Sequence, residues 1–178
     1  MKRRFLLKRA VLISLFSALI SVSAFISIPL APVPITLQSF AVFLSLFVLG
    51  PIGGSISVLL YIAIGAVGFP VFSGFSGGIG RLLDVGVGFI FGFLILAAVY
   101  GIISGIFCVG RVAKIISAII AHLALYLSGV LWYVIAFDGE LFAALYTFVL
   151  PFVLFDAVKL ILAFFVAERL VKIIPSLR

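Results

Sequence analysis

Long apolar runs, cut at intervals by proline and glycine, occupy most of this 178-residue chain. The first extends from about Ala10 to Ile28, enough helix to cross roughly 30 Å of hydrocarbon at about 1.5 Å per residue. It ends at Pro29, Pro32 and Pro34, which cannot continue a helix. Further runs occupy about 35–49, closed by Gly50-Pro51 and Gly53-Gly54, and 55–67, closed by Gly68 and Pro70. Others cover about 82–107, 115–136 and 153–171. Residues 141–150 are apolar but stop at Pro151, which reads as an outer interfacial helix.

The balance of residue types agrees. Hydrophobic residues make up 66% and charged residues 10%, with a mean hydropathy of +1.54, whereas a soluble domain is roughly 45–50% apolar and about a quarter charged. These values exclude a soluble enzyme, a disordered tail and a nucleic-acid reader, despite the net charge of +7. One Cys excludes a disulfide framework and a Cys-based metal cluster. The expected fold is an all-α integral membrane bundle of six transmembrane helices, forming a single domain over residues 1–178.

Charge placement supplies an orientation. Lys2, Arg3, Arg4, Lys8 and Arg9 crowd the N-terminus, Arg111 and Lys114 sit together mid-chain, and Arg169, Lys172 and Arg178 lie near the end. Basic loop residues are retained on the cytoplasmic side. Six spans with both termini cytoplasmic put every basic loop cluster inside, leaving only Arg81 outside. The Pro-rich loop, the Gly-rich loop and the Asp138/Glu140 loop then face outward.

Few residues are equipped for chemistry. Asp156 and Lys159 are ionisable residues within an apolar run, three apart and so on one helical face. A charge in hydrocarbon costs at least about 2.5–3.5 kcal/mol, and such residues usually face a bundle interior or a cavity. A ligand-contacting pair is expected, against the plainer reading of an ion pair that only closes the bundle. Arg81 and Asp84 form a second pair, also three apart, directly after the Gly-rich segment 68–80. Either they form a solvated pair or Arg81 meets a carboxylate on an anionic ligand through a forked hydrogen bond. Gln38 offers an amide that donates and accepts.

His122, alone in its run, is expected to hydrogen-bond a neighbouring helix rather than hold a metal. No phosphate-binding loop of the Gly-Lys-Ser/Thr type occurs, so the chain has no such ATP site of its own. Catalytic carboxylate, His or nucleophile clusters are also missing from the sequence. In the first run Ala10, Ser14 and Ala18 recur every four residues, with Ser17, Ser21 and Ala24 beside them. Small residues at that spacing let another helix approach closely, within the chain or from a partner.

Several motifs taken together resemble the BioY family of biotin transporters. They are Pro32-Val-Pro-Ile-Thr-Leu-Gln38, Gly50-Pro51…Gly54, Leu60-Tyr-Ile-Ala-Ile-Gly-Ala-Val-Gly-Phe-Pro-Val-Phe72, Gly77-Gly78, Gly88-Phe-Ile-Phe-Gly-Phe93 and Pro151-Phe152…Asp156-Ala-Val-Lys159. The chain departs from the family's pattern at Asp84-Val-Gly-Val-Gly-Phe89 and at Leu154-Phe155. The resemblance implies a substrate-binding (S) component of an energy-coupling factor (ECF) importer in a prokaryotic cell membrane. It implies biotin as the transported ligand and no cofactor. A transmembrane coupling (T) protein and two ATPase subunits, all separate chains, would bind and use ATP. The small-residue face Ala10, Ser14, Ala18 would then dock on the T protein.

For the biotin ureido ring, the expected partners are Asp156, accepting from its N–H groups, and Lys159, donating to its carbonyl, with Gln38 nearby. Tyr61, Phe72 and Phe75 are expected to pack on the bicyclic ring. Ser73 and the amides of Gly77 and Gly78, with Arg81, are expected around the valerate carboxylate. The alternatives are an S component for a different vitamin and a non-transporting structural subunit.

Overall fold

The computed structural model describes residues 2–29, 32–106 and 110–173. The chain is almost wholly helical: α1 (Lys2–Phe25), α2 (Gln38–Val67), α3 (Val87–Ile106), α4 (Arg111–Phe137), α5 (Leu141–Phe148) and α6 (Leu150–Ile173). All but α5 are long and apolar enough to cross a membrane.

The helix α2 is two helices in one. At Gly50 the backbone leaves the helical region (φ 75°, ψ 175°), a conformation open essentially only to glycine, and Pro51 starts a new helix. The two arms, 38–49 and 51–67, fold back against each other. A Cβ on Gly54 would lie 2.8 Å from the Cα of Leu46, eight residues earlier and about 12 Å away in a straight helix. Gln38 Nε2 donates to the Tyr61 hydroxyl at 2.6 Å, across a separation that a straight helix would stretch to about 34 Å. Among the described residues the bundle therefore contains six long helical segments: α1, the two arms of α2, α3, α4 and α6.

Several expected boundaries are corrected. The first helix ends at Phe25, not Ile28, because Ser27–Ile28 (β1) pairs antiparallel with Ile35–Thr36 (β2) in the register Ser27↔Thr36, Ile28↔Ile35. The second run correspondingly becomes helical only at Gln38. Residues 79–83 form a separate 3₁₀ turn (Ile79–Leu83), and α3 starts only at Val87. The interfacial segment 141–150 is divided: α5 ends at Phe148, and α6 begins at Leu150, with Pro151 in its first turn, where the missing N–H costs nothing.

The first arm of α2 is buried on nearly every side, with Ala41 to Val48 all inside, as befits a helix apolar all round. It packs with Phe16 and Ile20 of α1, Phe93, Leu96 and Tyr100 of α3, and Leu160, Ala163 and Phe164 of α6. Ser45 and Ser57 satisfy their hydroxyls on their own helix, donating to Val42 O and Gly53 O. The outer faces of α3, α4 and α6 expose Ile95, Ile102, Leu123, Leu127, Ile161 and Phe165. So much apolar surface suits lipid, not water.

Candidate functional site

At the end of the bundle that carries the β-hairpin and the Gly-rich loop, a pocket enters between α2, α3, α4 and α6. It holds about 770 Å³ of empty space, its open mouth included. Pro32, Val33 and Pro34, at the hairpin tip, form one side of the mouth; Ser73, Arg81, Asp84 and Gly86 form another. Phe89, Ile90 and Phe93 of α3, Leu125 of α4 and Phe152 of α6 supply apolar wall, and Phe152 stacks against Phe89.

Its polar end is built from three helices. Asp156 and Lys159 lie one turn apart on the inner face of α6, both buried, with Lys159 Nζ 2.9 Å from Asp156 Oδ1. Ser39, in the first turn of α2, donates to the same oxygen at 2.8 Å. Tyr126 of α4 donates to Oδ2 at 2.8 Å. His122, one turn before Tyr126, brings Nε2 to 3.1 Å from Oδ2. That contact has ion-pair distance but lacks hydrogen-bond alignment, and neither ring nitrogen of His122 has an aligned partner among the described residues. Its ring sits between those of Phe43 and Tyr126. A buried carboxylate needs such company: unpaired, it would cost several kcal/mol.

The sequence-predicted residues divide into two groups. Asp156, Lys159, Gln38, Ser73 and Arg81 all line the pocket. Gln38 is tied at both ends of its amide, donating to Tyr61 and accepting from Thr36 Oγ1 at 3.0 Å. Arg81 is paired with Asp84, their side chains 37% and 43% exposed. Asp84 is itself fixed, since its carboxylate accepts from Val85 N and its carbonyl from Trp132 Nε1.

Tyr61, Phe72, Phe75, Gly77 and Gly78 stand off the pocket wall. Tyr61 is fully buried behind Gln38 and packs edge-on against Phe72. Phe72 is fully buried too, its ring filling the space where a Cβ on Gly65 would be. Phe75 points outward, 69% exposed, and stacks on Phe25 of α1. Gly77 packs against the Phe69 carbonyl, and Gly78 spends its N–H on Gly65 O at 2.8 Å. The Gly-rich loop thus folds on itself and contributes Ser73 to the pocket.

Sequence reasoning missed Ser39, Tyr126 and His122 as members of the cluster. His122 and Tyr126 are i, i+4 polar residues in the middle of a mostly apolar helix, a spacing that places them on one face. Ser39 follows Gln38 directly and carried no separate signal. On α1, Ala10, Ser14 and Ala18 are exposed, while Ser17, Ser21 and Ala24 turn inward.

A bundle of apolar helices holding a carboxylate–ammonium cluster at the bottom of an open pocket defines a multi-pass, solute-binding membrane protein. The BioY family model matches residues 1–176. A probable biotin transporter BioY of Pyrococcus horikoshii is 40% identical over 165 residues, 92% of this chain and 96% of its own length. The biotin transporter BioY of Thermotoga maritima is 39% identical over 168 residues, 89% of this chain and 93% of its own. Among solved structures, the S-component for biotin from an ECF-type ABC transporter superposes with a TM-score of 0.87 at 25% identity. That match covers 97% of this chain and 95% of the other. The chain belongs to the BioY family, a family of prokaryotic membrane transporters and not of enzymes.

Proposed function

We propose that this protein captures biotin from outside the cell as the S component of an ECF-type importer. The observation that carries the reading is the cluster of Asp156, Lys159, Ser39 and Tyr126 at the inner end of an otherwise apolar pocket. A ureido ring is a compact polar head with two N–H donors and one carbonyl acceptor, and the cluster offers both acceptors and donors. Phe89, Phe93 and Phe152 suit the apolar sides of the bicyclic ring and its sulfur. At the mouth, Arg81 is the cation nearest to where a valerate carboxylate would emerge, and it shares its guanidinium with Asp84. Biotin is the cargo here and not a cofactor.

Release inward requires work this chain has no nucleotide loop to perform. A transmembrane T protein and two ATPase subunits, as separate chains, supply it, with the pocket facing outward and both termini cytoplasmic. The exposed face Ala10, Ser14, Ala18 on α1 is the docking surface for the T protein, since small residues permit close helix contact. Equilibrium binding of labelled biotin to the purified, detergent-solubilised chain tests the reading. Saturable binding is expected, weakened sharply in Asp156→Asn. A folded wild type that ignores biotin but binds another vitamin would overturn it.

A further inference from the structure

The Asp156 carboxylate has about four lone-pair positions, and the protein surrounds it with four polar groups. Ser39 Oγ and Lys159 Nζ donate to Oδ1, Tyr126 OH donates to Oδ2, and His122 Nε2 stands 3.1 Å from Oδ2. Hydrogen bonds fill three of those positions, and the unaligned His122 stands beside the fourth. The carboxylate also sets the direction of its neighbours' protons. A hydroxyl has one proton and two lone pairs, and an ionised carboxylate only accepts. Ser39 and Tyr126 therefore each commit their proton to Asp156, and what they offer the pocket they both line is lone pairs. Lys159 has three N–H groups and commits one, so it faces the same pocket as a donor. The cluster thus presents two acceptors and one donor, the complement of a cyclic urea.

Resting on the biotin reading above, we infer that Ser39 and Tyr126 are the specificity-determining residues that accept the two ureido N–H groups. Lys159 donates to the ureido carbonyl. Asp156 is a positioning residue: it fixes the direction of both hydroxyl protons. The same arrangement rejects ring systems that place an acceptor where an N–H should be, because two lone pairs then face each other and a buried polar atom is left without a partner.

The test uses three ligands: biotin, and two analogues in which one or the other ureido N–H is replaced by a ring oxygen of nearly the same size. Wild type should bind each analogue about tenfold or more weakly than biotin. Ser39→Ala and Tyr126→Phe each remove one acceptor while keeping the apolar bulk. Each should bind biotin less tightly and lose its discrimination against one analogue while keeping it against the other. A purely structural role would weaken all three ligands in parallel. If wild type binds biotin and both analogues equally, or if folded variants keep full discrimination, the inference fails and the biotin reading stands. If wild type binds no biotin, both fail. Should one variant not fold, the other still tests its own acceptor, and equal binding of all three ligands by wild type still overturns the inference.

Discussion

Lys159→Met separates the stability role of the cluster from its binding role. The pair is buried, with side-chain exposures of 11% for Lys159 and 7% for Asp156, and a separation of 2.9 Å. Removing one member of a buried pair costs about 3–5 kcal/mol, because the other charge stays behind uncompensated. Here Ser39, Tyr126 and His122 still face the carboxylate, which puts the loss at the lower end, about 3 kcal/mol. For a chain of this length each kcal/mol moves the melting temperature by about 2–4 °C, so a fall of about 6–12 °C is expected. The double variant Asp156→Leu/Lys159→Met removes both charges and fills similar volume. It leaves Ser39 and Tyr126 without their acceptor, but both hydroxyls are free to turn toward the pocket they line. It should therefore recover about 2 kcal/mol relative to Lys159→Met alone, about 4–8 °C, while binding no biotin. Thermal unfolding of the three proteins in one detergent measures this. A double variant no more stable than the single one would refute the argument that an uncompensated charge drives the loss.

Three further substitutions probe other parts of the fold. Gly129→Ala would set a Cβ 2.3 Å from the tip of the Phe89 ring, which lines the pocket; the ring must shift, and labelled-biotin binding should weaken about tenfold, an overpacking effect read through affinity. Gly50→Ala meets no neighbour within 4 Å yet forces an L residue to φ 75°, so thermal unfolding should show a loss of about 1–3 kcal/mol with biotin affinity unchanged. Ser14→Trp adds bulk to an exposed position of α1; biotin binding to the isolated chain should persist, while ATP-driven uptake by the complete importer in vesicles should be lost.

What was legible in the sequence follows from how far each signal reaches along the chain. Apolar run length and the Gly50-Pro51 break are local, and the helices and the turn within α2 lie where those signals stand. The pairing of Asp156 with Lys159 is also local, three residues apart on one helix. Ser27–Ile28 was less legible, because a dipeptide before proline has the same composition whether it ends a helix or pairs with a strand. The aromatic residues of the Gly-rich loop misled for a related reason. Composition marks Phe72 and Phe75 as able to cover a ring, but Phe72 is consumed by packing under Gly65 and Phe75 by stacking on Phe25. Ser39, His122 and Tyr126 reach Asp156 across separations of 117, 34 and 30 residues, and only the folded bundle brings them together.

That long-range assembly has a thermodynamic consequence. The groups around Asp156 come from α2, α4 and α6, so the acceptor pattern exists only when these three helices are packed. A ligand that reads the pattern binds the packed bundle and not its separated helices. By mass action, such a ligand stabilises the fold by about 2.7 kcal/mol at a hundred times its dissociation constant. This is close to the amount by which losing Lys159 is expected to destabilise the protein. The cluster's polarity is thus a weakness of the empty protein that the ligand offsets. An all-apolar core would pack the same helices with no need of a ligand, and it would recognise nothing.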